Sequence, residues 1–386
     1  MNNKKYILVC QATRYLLIDI LNVFAENNCE IILYTGEVRI ANTPLNSKII
    51  VKKLIYYNSS TIFKRLFTWL VFTFQCFFLL LFKSKKHEVI YVTTPPFLVF
   101  LGLFFKKLFN QTFHLLIWDL YPDVMVNFNV IKRNGYIHRI WSKSNKYIFN
   151  NASNVFTISE SMAEAINKYS ANIKVKIIPN WVDSRFITPL EKTNNPFAIQ
   201  FHQTDKLTVM YSGNFGETHD LESIIEVAKM NNNKNISFFI IGEGAKKKKI
   251  EDLIKKDNID NITILPLQSS EILPYSLTTA DIGVVTLGEG AENVSVPSKT
   301  YYMMAAGTAI LALANKNSEL SRLVNKYEIG RVIRPGDIQN IIIFVNEMYQ
   351  NKIALNKFKQ NSRNASFNFT PENAKKYFEI INSLNS

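Results

Sequence analysis

Apolar positions along the chain fall into short continuous runs separated by stretches of helical periodicity. In the first half the runs lie at 5–10, 30–34, 48–52, 88–93, 113–118, 154–159 and 174–179, with helical patterns such as 15–27 and 137–149 between most of them. Runs that are apolar along their whole length, not only at alternate positions, belong to parallel strands covered on both faces. At 184–205 the pattern lapses into a polar stretch with Pro189 and Pro196, which reads as an inter-domain linker. It resumes with runs at 207–213, 236–242, 262–266, 282–287, 308–314 and 329–333. Helical patterns at 219–230, 245–255 and near 270–279 alternate with the first of these. The expected fold class is α/β, with two Rossmann-like, doubly wound parallel-sheet domains over residues 1–190 and 200–368. Sheets of this kind bind ligands at the carboxyl ends of their strands, where the strand order reverses. The function is therefore expected in a cleft between the two domains.

Composition narrows the partners. A chain of 386 residues with 47% hydrophobic content can bury two cores, and its net charge of +14 points to an anionic partner. Cys10, Cys29 and Cys76 are far apart and lack metal-ligand spacing, so they read as reduced thiols of a cytoplasmic protein. The stretch LFTWLVFTFQCFFLLLF (66–82) lies between Lys64-Arg65 and a second basic cluster at 83–86, and FLVFLGLFF (97–105) ends at Lys106-Lys107. Three readings stand: helices pressed into an anionic bilayer surface, buried helices of the first domain, or a membrane span.

The chemistry-bearing signals lie at strand-to-helix turns of the second half. In SVPSKTYYMMAAGTAILAL (295–313), Pro297 suits a helix start and Gly307 a helix end, with Ser298 and Lys299 in the first turn. A cation is the wrong charge for the positive end of a helix dipole, unless an anion sits between them. The turn YSGNFGETHDLE (211–222) places Gly213 and Gly216 where backbone amides can approach such an anion, with Asn214 and His219 as further donors and Phe215 between them. A third turn, IGEGAKKKKIEDL (241–253), carries Gly242, Gly244 and four lysines, of which Lys246 or Lys247 is the candidate to reach the ligand. None of these is a dinucleotide fingerprint or a P-loop. The histidines show no metal-ligand pairing, and no nucleophile elbow is present. The 28 Phe and 17 Tyr are concentrated in apolar runs, so no nucleic-acid partner is expected.

In this order and spacing, IWDLYPD (117–123), FTISESM (156–162), IIPNWVD (177–183), YSGNFGETHDLE, IIGEGAKKKK (240–249) and VPSKTYYMMAAGTAIL (296–311) resemble family 4 glycosyltransferases of GT-B fold. The resemblance is to the branch that builds capsule and O-antigen repeat units. It implies a nucleotide-sugar donor held by the second domain; UDP, the commonest such nucleotide, is the expected one. It implies an undecaprenyl-diphosphate-linked sugar acceptor held by the first domain at the inner face of the cytoplasmic membrane. A final helix at 369–386 is expected to cross back onto the first domain. Transfer would be retaining and would need neither cofactor nor metal. The family's two glutamates fall on Val294 and Tyr302 here, so Glu292 is the candidate for a sugar contact. The family's phosphate-binding arginine and lysine fall on Asn214 and His219, which leaves Lys299 as the main phosphate cation. The first-domain histidine of the family corresponds to Trp118, beside Asp119. Lys299 and Asp119 are thus the catalytic candidates, with Asp123 a further acceptor contact. Charge builds on the diphosphate as the glycosidic bond breaks, and donors aimed at it stabilise the transition state more than the ground state. Two other functions stay open: a non-hydrolysing sugar-nucleotide epimerase of the same architecture, and a non-enzymatic basic protein that binds lipid or nucleic acid.

Overall fold

The computed structural model describes residues 4–40, 43–83, 85–127, 129–287 and 297–383. The chain divides into two units, Met1–Asn180 with Pro371–Ser386, and Trp181–Thr370. In the first unit β1 (Lys5–Val9), β2 (Ala12–Thr13) and α1 (Tyr15–Glu26) precede β3 (Glu30–Thr35), β4 (Glu37–Val38), β5 (Ile50–Lys53) and the long α2 (Ile62–Leu81). β6 (Glu88–Val92), α3 (Leu98–Phe109), β7 (Phe113–Ile117), α4 (Asp123–Asn127), α5 (Tyr136–Asn151), β8 (Asn154–Thr157), α6 (Glu160–Asn167) and β9 (Val175–Ile177) follow. Seven of the strands form a wholly parallel sheet in the order β5-β3-β1-β6-β7-β8-β9. Its central strands are buried at nearly every position, which is why they read as continuous apolar runs.

α2 shows how one helix can serve two environments. Thr61 caps it by accepting a hydrogen bond from the Lys64 amide at 3.2 Å. Phe72, Cys76 and Leu80 point into the sheet core, whereas Phe63, Phe67, Leu70, Phe74 and Phe78 lie exposed on the other side. The helix starts four residues before the apolar run at 66–82, because Ile62 and Phe63 extend the exposed face past the basic pair Lys64-Arg65. By length and composition it could cross a bilayer, and 28% of its most apolar stretch is buried inside the protein. One face is committed to the sheet.

The second unit contains a 3-10 turn at Lys192–Asn194, α7 (Pro196–Gln200), β10 (Leu207–Ser212), α8 (Glu222–Met230), β11 (Ile236–Ile241), α9 (Lys247–Lys256) and β12 (Ile262–Leu265). It continues with α10 (Leu273–Thr279), β13 (Ile282–Thr286), α11 (Lys299–Ala305), β14 (Ala309–Leu313), α12 (Glu319–Tyr327), β15 (Gly330–Ile333), α13 (Ile338–Gln350) and α14 (Lys352–Ser366). Its parallel sheet runs β12-β11-β10-β13-β14-β15. The last helix, α15 (Asn373–Ser383), belongs to the first unit, where it packs on α1; Phe378 meets Phe24 edge to face at 5.2 Å.

The stretch expected to link the domains is not a linker. Residues 184–205 belong to the second unit, whose first residue is Trp181, so the boundary lies ten residues before the expected 190. Asn195 caps α7 and also donates to the Tyr275 carbonyl and the Thr278 and Thr279 hydroxyls of α10. Lys192 reaches Asp281, which also takes Lys359 at 3.0 Å and the Thr208 amide at 3.0 Å. Polar side chains in mutual contact anchor this segment, so it shows no apolar periodicity although it is packed.

Candidate functional site

In the second unit the strand order reverses between β10 and β13, and a cavity of about 410 Å³ opens beside their carboxyl ends. One wall is polar: Gly213, Asn214, Thr218 and His219 follow β10, and Ser298 and Lys299 open α11. The other wall is apolar, built from Leu267, Leu273, Leu277, Leu287 and Met303. A pocket with one polar and one greasy side suits a ligand that joins an anion to a flat or apolar group.

Lys299 is the centre of the polar wall. Its Nζ donates to the Tyr211 hydroxyl at 2.6 Å and stands 3.8 Å from the centre of the Tyr211 ring. Burial lowers its pKa to about 7. Tyr211 is completely buried, and burial pushes its hydroxyl well above the usual phenol range, so it keeps its proton. That proton goes to the Asn214 carbonyl at 2.6 Å. The same carbonyl lies 2.8 Å from His219 Nδ1, itself 2.8 Å from the Tyr211 oxygen. The arrangement assigns the imidazole proton to Nδ1 and leaves Nε2 as the other ring atom. Burial first, and then the Lys299 charge, hold His219 below the ordinary histidine pKa. Tyr211 was missed in the sequence because it reads as one more apolar strand residue; its place just before the Ser-Gly that ends the strand was the available signal.

The glycine turns divide their roles differently from expectation. Gly213 has φ +145°, a backbone conformation that favours glycine, and a Cβ there would stand 3.0 Å from Lys299 Nζ, close enough to push the ammonium back. Gly242 has φ +151°, and a Cβ on it would lie 1.9 Å from the Gly213 carbonyl oxygen. The third turn therefore braces the second and does not face the ligand. Gly244 does the same: its Cβ would meet Asn214 Oδ1 and the Phe215 backbone, all at 2.7 Å. Lys246, expected to reach the anion, instead ties the turn to α8 through the His219 carbonyl at 2.9 Å and Glu222 at 3.0 Å. Phe215 is a fully buried core residue, and its amide is spent on the Glu243 carbonyl at 2.8 Å. These three corrections have one cause: two backbone turns in direct contact need supports of their own.

The start of α11 also differs from the sequence reading. Ser298 is its N-cap with Lys299 as first helical residue, and the Ser298 side chain makes no capping bond. The Thr300 and Tyr301 amides bond back to the Pro297 and Ser298 carbonyls at 2.9 and 3.1 Å. These amides are thus satisfied internally, and the lysine carries most of the positive charge. Ser298 stands exposed at the lip and Tyr302 lines the cavity, together with Asn214 and His219. Glu292 and Val294 lie outside the described residues. In the first unit Asp119 follows β7, where burial raises its pKa against a hydrogen bond from Thr94. Asp123 accepts a hydrogen bond from the Tyr169 hydroxyl in the first turn of α4, which gives it a structural partner. Among the described residues no group of three or more His, Cys, Asp or Glu side chains is placed to hold a metal ion.

Two Rossmann-like parallel-sheet units, the second with a pocket where its strand order reverses, make up the GT-B architecture. Residues 192–365, within the second unit, match the family described as Glycosyl transferases group 1. It is 26% identical over 265 residues to WbjE of Pseudomonas aeruginosa, named as a probable glycosyltransferase, covering 66% of this chain and 64% of the relative. It is 31% identical over 196 residues to WcaI of Escherichia coli K12, named for glycosyl transfer in colanic acid biosynthesis. That match covers 50% of this chain and 48% of WcaI, so the chain spans from just under half to just under two thirds of the curated relatives it matches. Among solved structures, the sucrose-phosphate synthase of Thermosynechococcus elongatus superposes with a TM-score of 0.75 at 15% identity, over 99% of both chains. Anabaena HepE in complex with UDP and glucose gives 0.73 at 12% identity, over 99% of this chain and 100% of HepE. At these identities the structural likeness shows the fold.

Proposed function

We propose that the protein is a retaining, metal-independent glycosyltransferase of bacterial surface-polysaccharide assembly. In this reading it moves a sugar from a nucleotide-sugar, with UDP the favoured nucleotide, to a lipid-diphosphate-linked saccharide. The observation that carries the reading is the half-buried Lys299 ammonium, held beside His219 at the lip of the cavity of the second unit. The diphosphate would sit against Lys299, Asn214 and the His219 ring, with the nucleoside along the apolar wall. As the bond between sugar and phosphate breaks, negative charge grows on the departing phosphate oxygens. An ammonium already desolvated and oriented stabilises that charge with little reorganisation. In a retaining transfer the leaving phosphate can assist removal of the acceptor's proton, so no pair of protein carboxylates is required.

The acceptor half of the proposal rests on the first unit. The exposed row Phe63, Phe67, Leu70, Phe74 and Phe78 on α2, with Lys64 and Arg65 beside it, is an apolar surface with a cationic rim. Phe104, Leu108 and Phe109 of the α3 region are exposed as well, next to Lys106 and Lys107. Such a surface suits the headgroup layer of an anionic bilayer, where a lipid-linked acceptor would be presented from the cytoplasmic side. Asp119 is the acceptor-contact candidate there.

The test is incubation of the purified protein with UDP-, GDP- and dTDP-sugars, with and without bacterial lipid extract and with EDTA in parallel. Lipid-dependent release of one nucleotide, unchanged by EDTA, is the expected result. Epimer formation without lipid would point to the isomerase of the same architecture and overturn the reading.

A further inference from the structure

Two cationic or polar side chains at the cavity, Lys299 and His219, are brought together by a residue that does not line it. Tyr211 is fully buried, and its hydroxyl is the common node: Lys299 donates to it at 2.6 Å, it donates to the Asn214 carbonyl at 2.6 Å, and His219 Nδ1 lies 2.8 Å away. Its ring also supports the Lys299 ammonium from below at 3.8 Å. An ammonium on a four-carbon stem has many rotamers, and fixing it before the ligand arrives removes that entropy from the binding step. His219 gains a fixed ring plane and tautomer in the same way.

We propose that Tyr211 is a positioning residue of the donor site, whose hydroxyl and ring hold Lys299 and His219 as a preassembled clamp for a diphosphate. The assignment rests on the functional reading above, and goes beyond it by naming a residue that acts without touching the ligand. Its ring and its hydroxyl have separable roles. Phenylalanine at this position keeps the platform under Lys299 and removes the node. The clamp then loses its fixed geometry while the apolar wall of the cavity is untouched.

The experiment compares wild type, Tyr211→Phe, Lys299→Ala and the double variant by calorimetric titration with UDP, inorganic pyrophosphate and uridine. Thermal melts confirm that each variant is folded. Tyr211→Phe is expected to weaken UDP and pyrophosphate about five- to tenfold, the scale of one hydrogen bond, and to leave uridine unchanged. In the Lys299→Ala background the same change should cost less than twofold, because a positioning residue has nothing left to position. Equal losses for uridine and pyrophosphate, or full additivity of the two changes, would overturn the assignment while leaving nucleotide binding intact. Failure of the wild type to bind both UDP and pyrophosphate would overturn the functional reading itself, and the positioning role with it.

Discussion

Replacing Lys299 by alanine removes the ammonium from a site where three things have been arranged around it. The Tyr211 hydroxyl accepts from it, the Tyr211 ring lies under it, and the glycine at 213 leaves room for it. A charge-assisted hydrogen bond to a phosphate contributes about 1.5–3 kcal/mol, more than a neutral one, and here it forms in a partly desolvated wall. The variant should therefore bind UDP about 10- to 150-fold more weakly, and transfer should fall at least as far. The fold should persist, since the lost contact with Tyr211 is offset by relief of a buried charge. The pH dependence gives a sharper signature. With its pKa lowered by burial to about 7, unliganded Lys299 is charged below that pH and increasingly neutral above it. A bound diphosphate favours the charged form, so the wild-type affinity should be full below pH 7 and decline as pH rises through 7 and beyond. The variant should lose this decline; titration of the nucleotide itself is common to both proteins and cancels in the comparison. Calorimetry of UDP binding between pH 6 and 9 measures both effects. Equal affinity of the two proteins, or parallel pH curves, would refute the phosphate-clamp argument.

Three further outcomes follow from the same structure. Gly242→Ala would force a Cβ to 1.9 Å from the Gly213 oxygen at a φ that side chains rarely adopt, and should lower stability by about 2–4 kcal/mol or prevent folding, as read by denaturant titration. Asp281→Ala should cost about 3–5 kcal/mol, mainly because the mostly buried Lys192 ammonium loses its counter-charge and keeps only the Lys206 carbonyl and the Thr208 hydroxyl. The Asp281 pKa is low in the fold: burial raises it, but Lys192 and Lys359 outweigh that, so its contribution is present at neutral pH and lost as pH falls through the acid range. The double change Phe67→Glu and Phe74→Glu, at exposed positions of α2, should abolish sedimentation with anionic vesicles while leaving the melt unchanged.

The α/β architecture and the position of Lys299 were legible because each rests on local pattern. Strands such as Val89–Val92 are buried on both faces, so burial and sequence hydrophobicity coincide. Lys299 stood out as a charge of the wrong sign at a helix start. The rest depends on contacts between distant residues. Nothing near Lys246 in sequence shows that it will find Glu222, 24 residues away, in preference to the cavity. Nothing in EGA shows that Gly244 will lie against the backbone of Phe215. Residues 184–205 read as a linker because their anchors, Lys192 and Asn195, are polar groups satisfied by partners more than 75 residues on. Tyr211 escaped for the opposite reason: its ring fits an apolar strand, and only the fold brings Lys299, 88 residues later, to its hydroxyl.

The most direct test of the central claim is a crystal structure of the protein with UDP. A phosphate oxygen is expected about 3 Å from Lys299 Nζ, with the nucleoside along Leu267, Leu273 and Leu277. A diphosphate bound elsewhere on the second unit, with Lys299 still turned onto Tyr211 and making no contact with it, would contradict it.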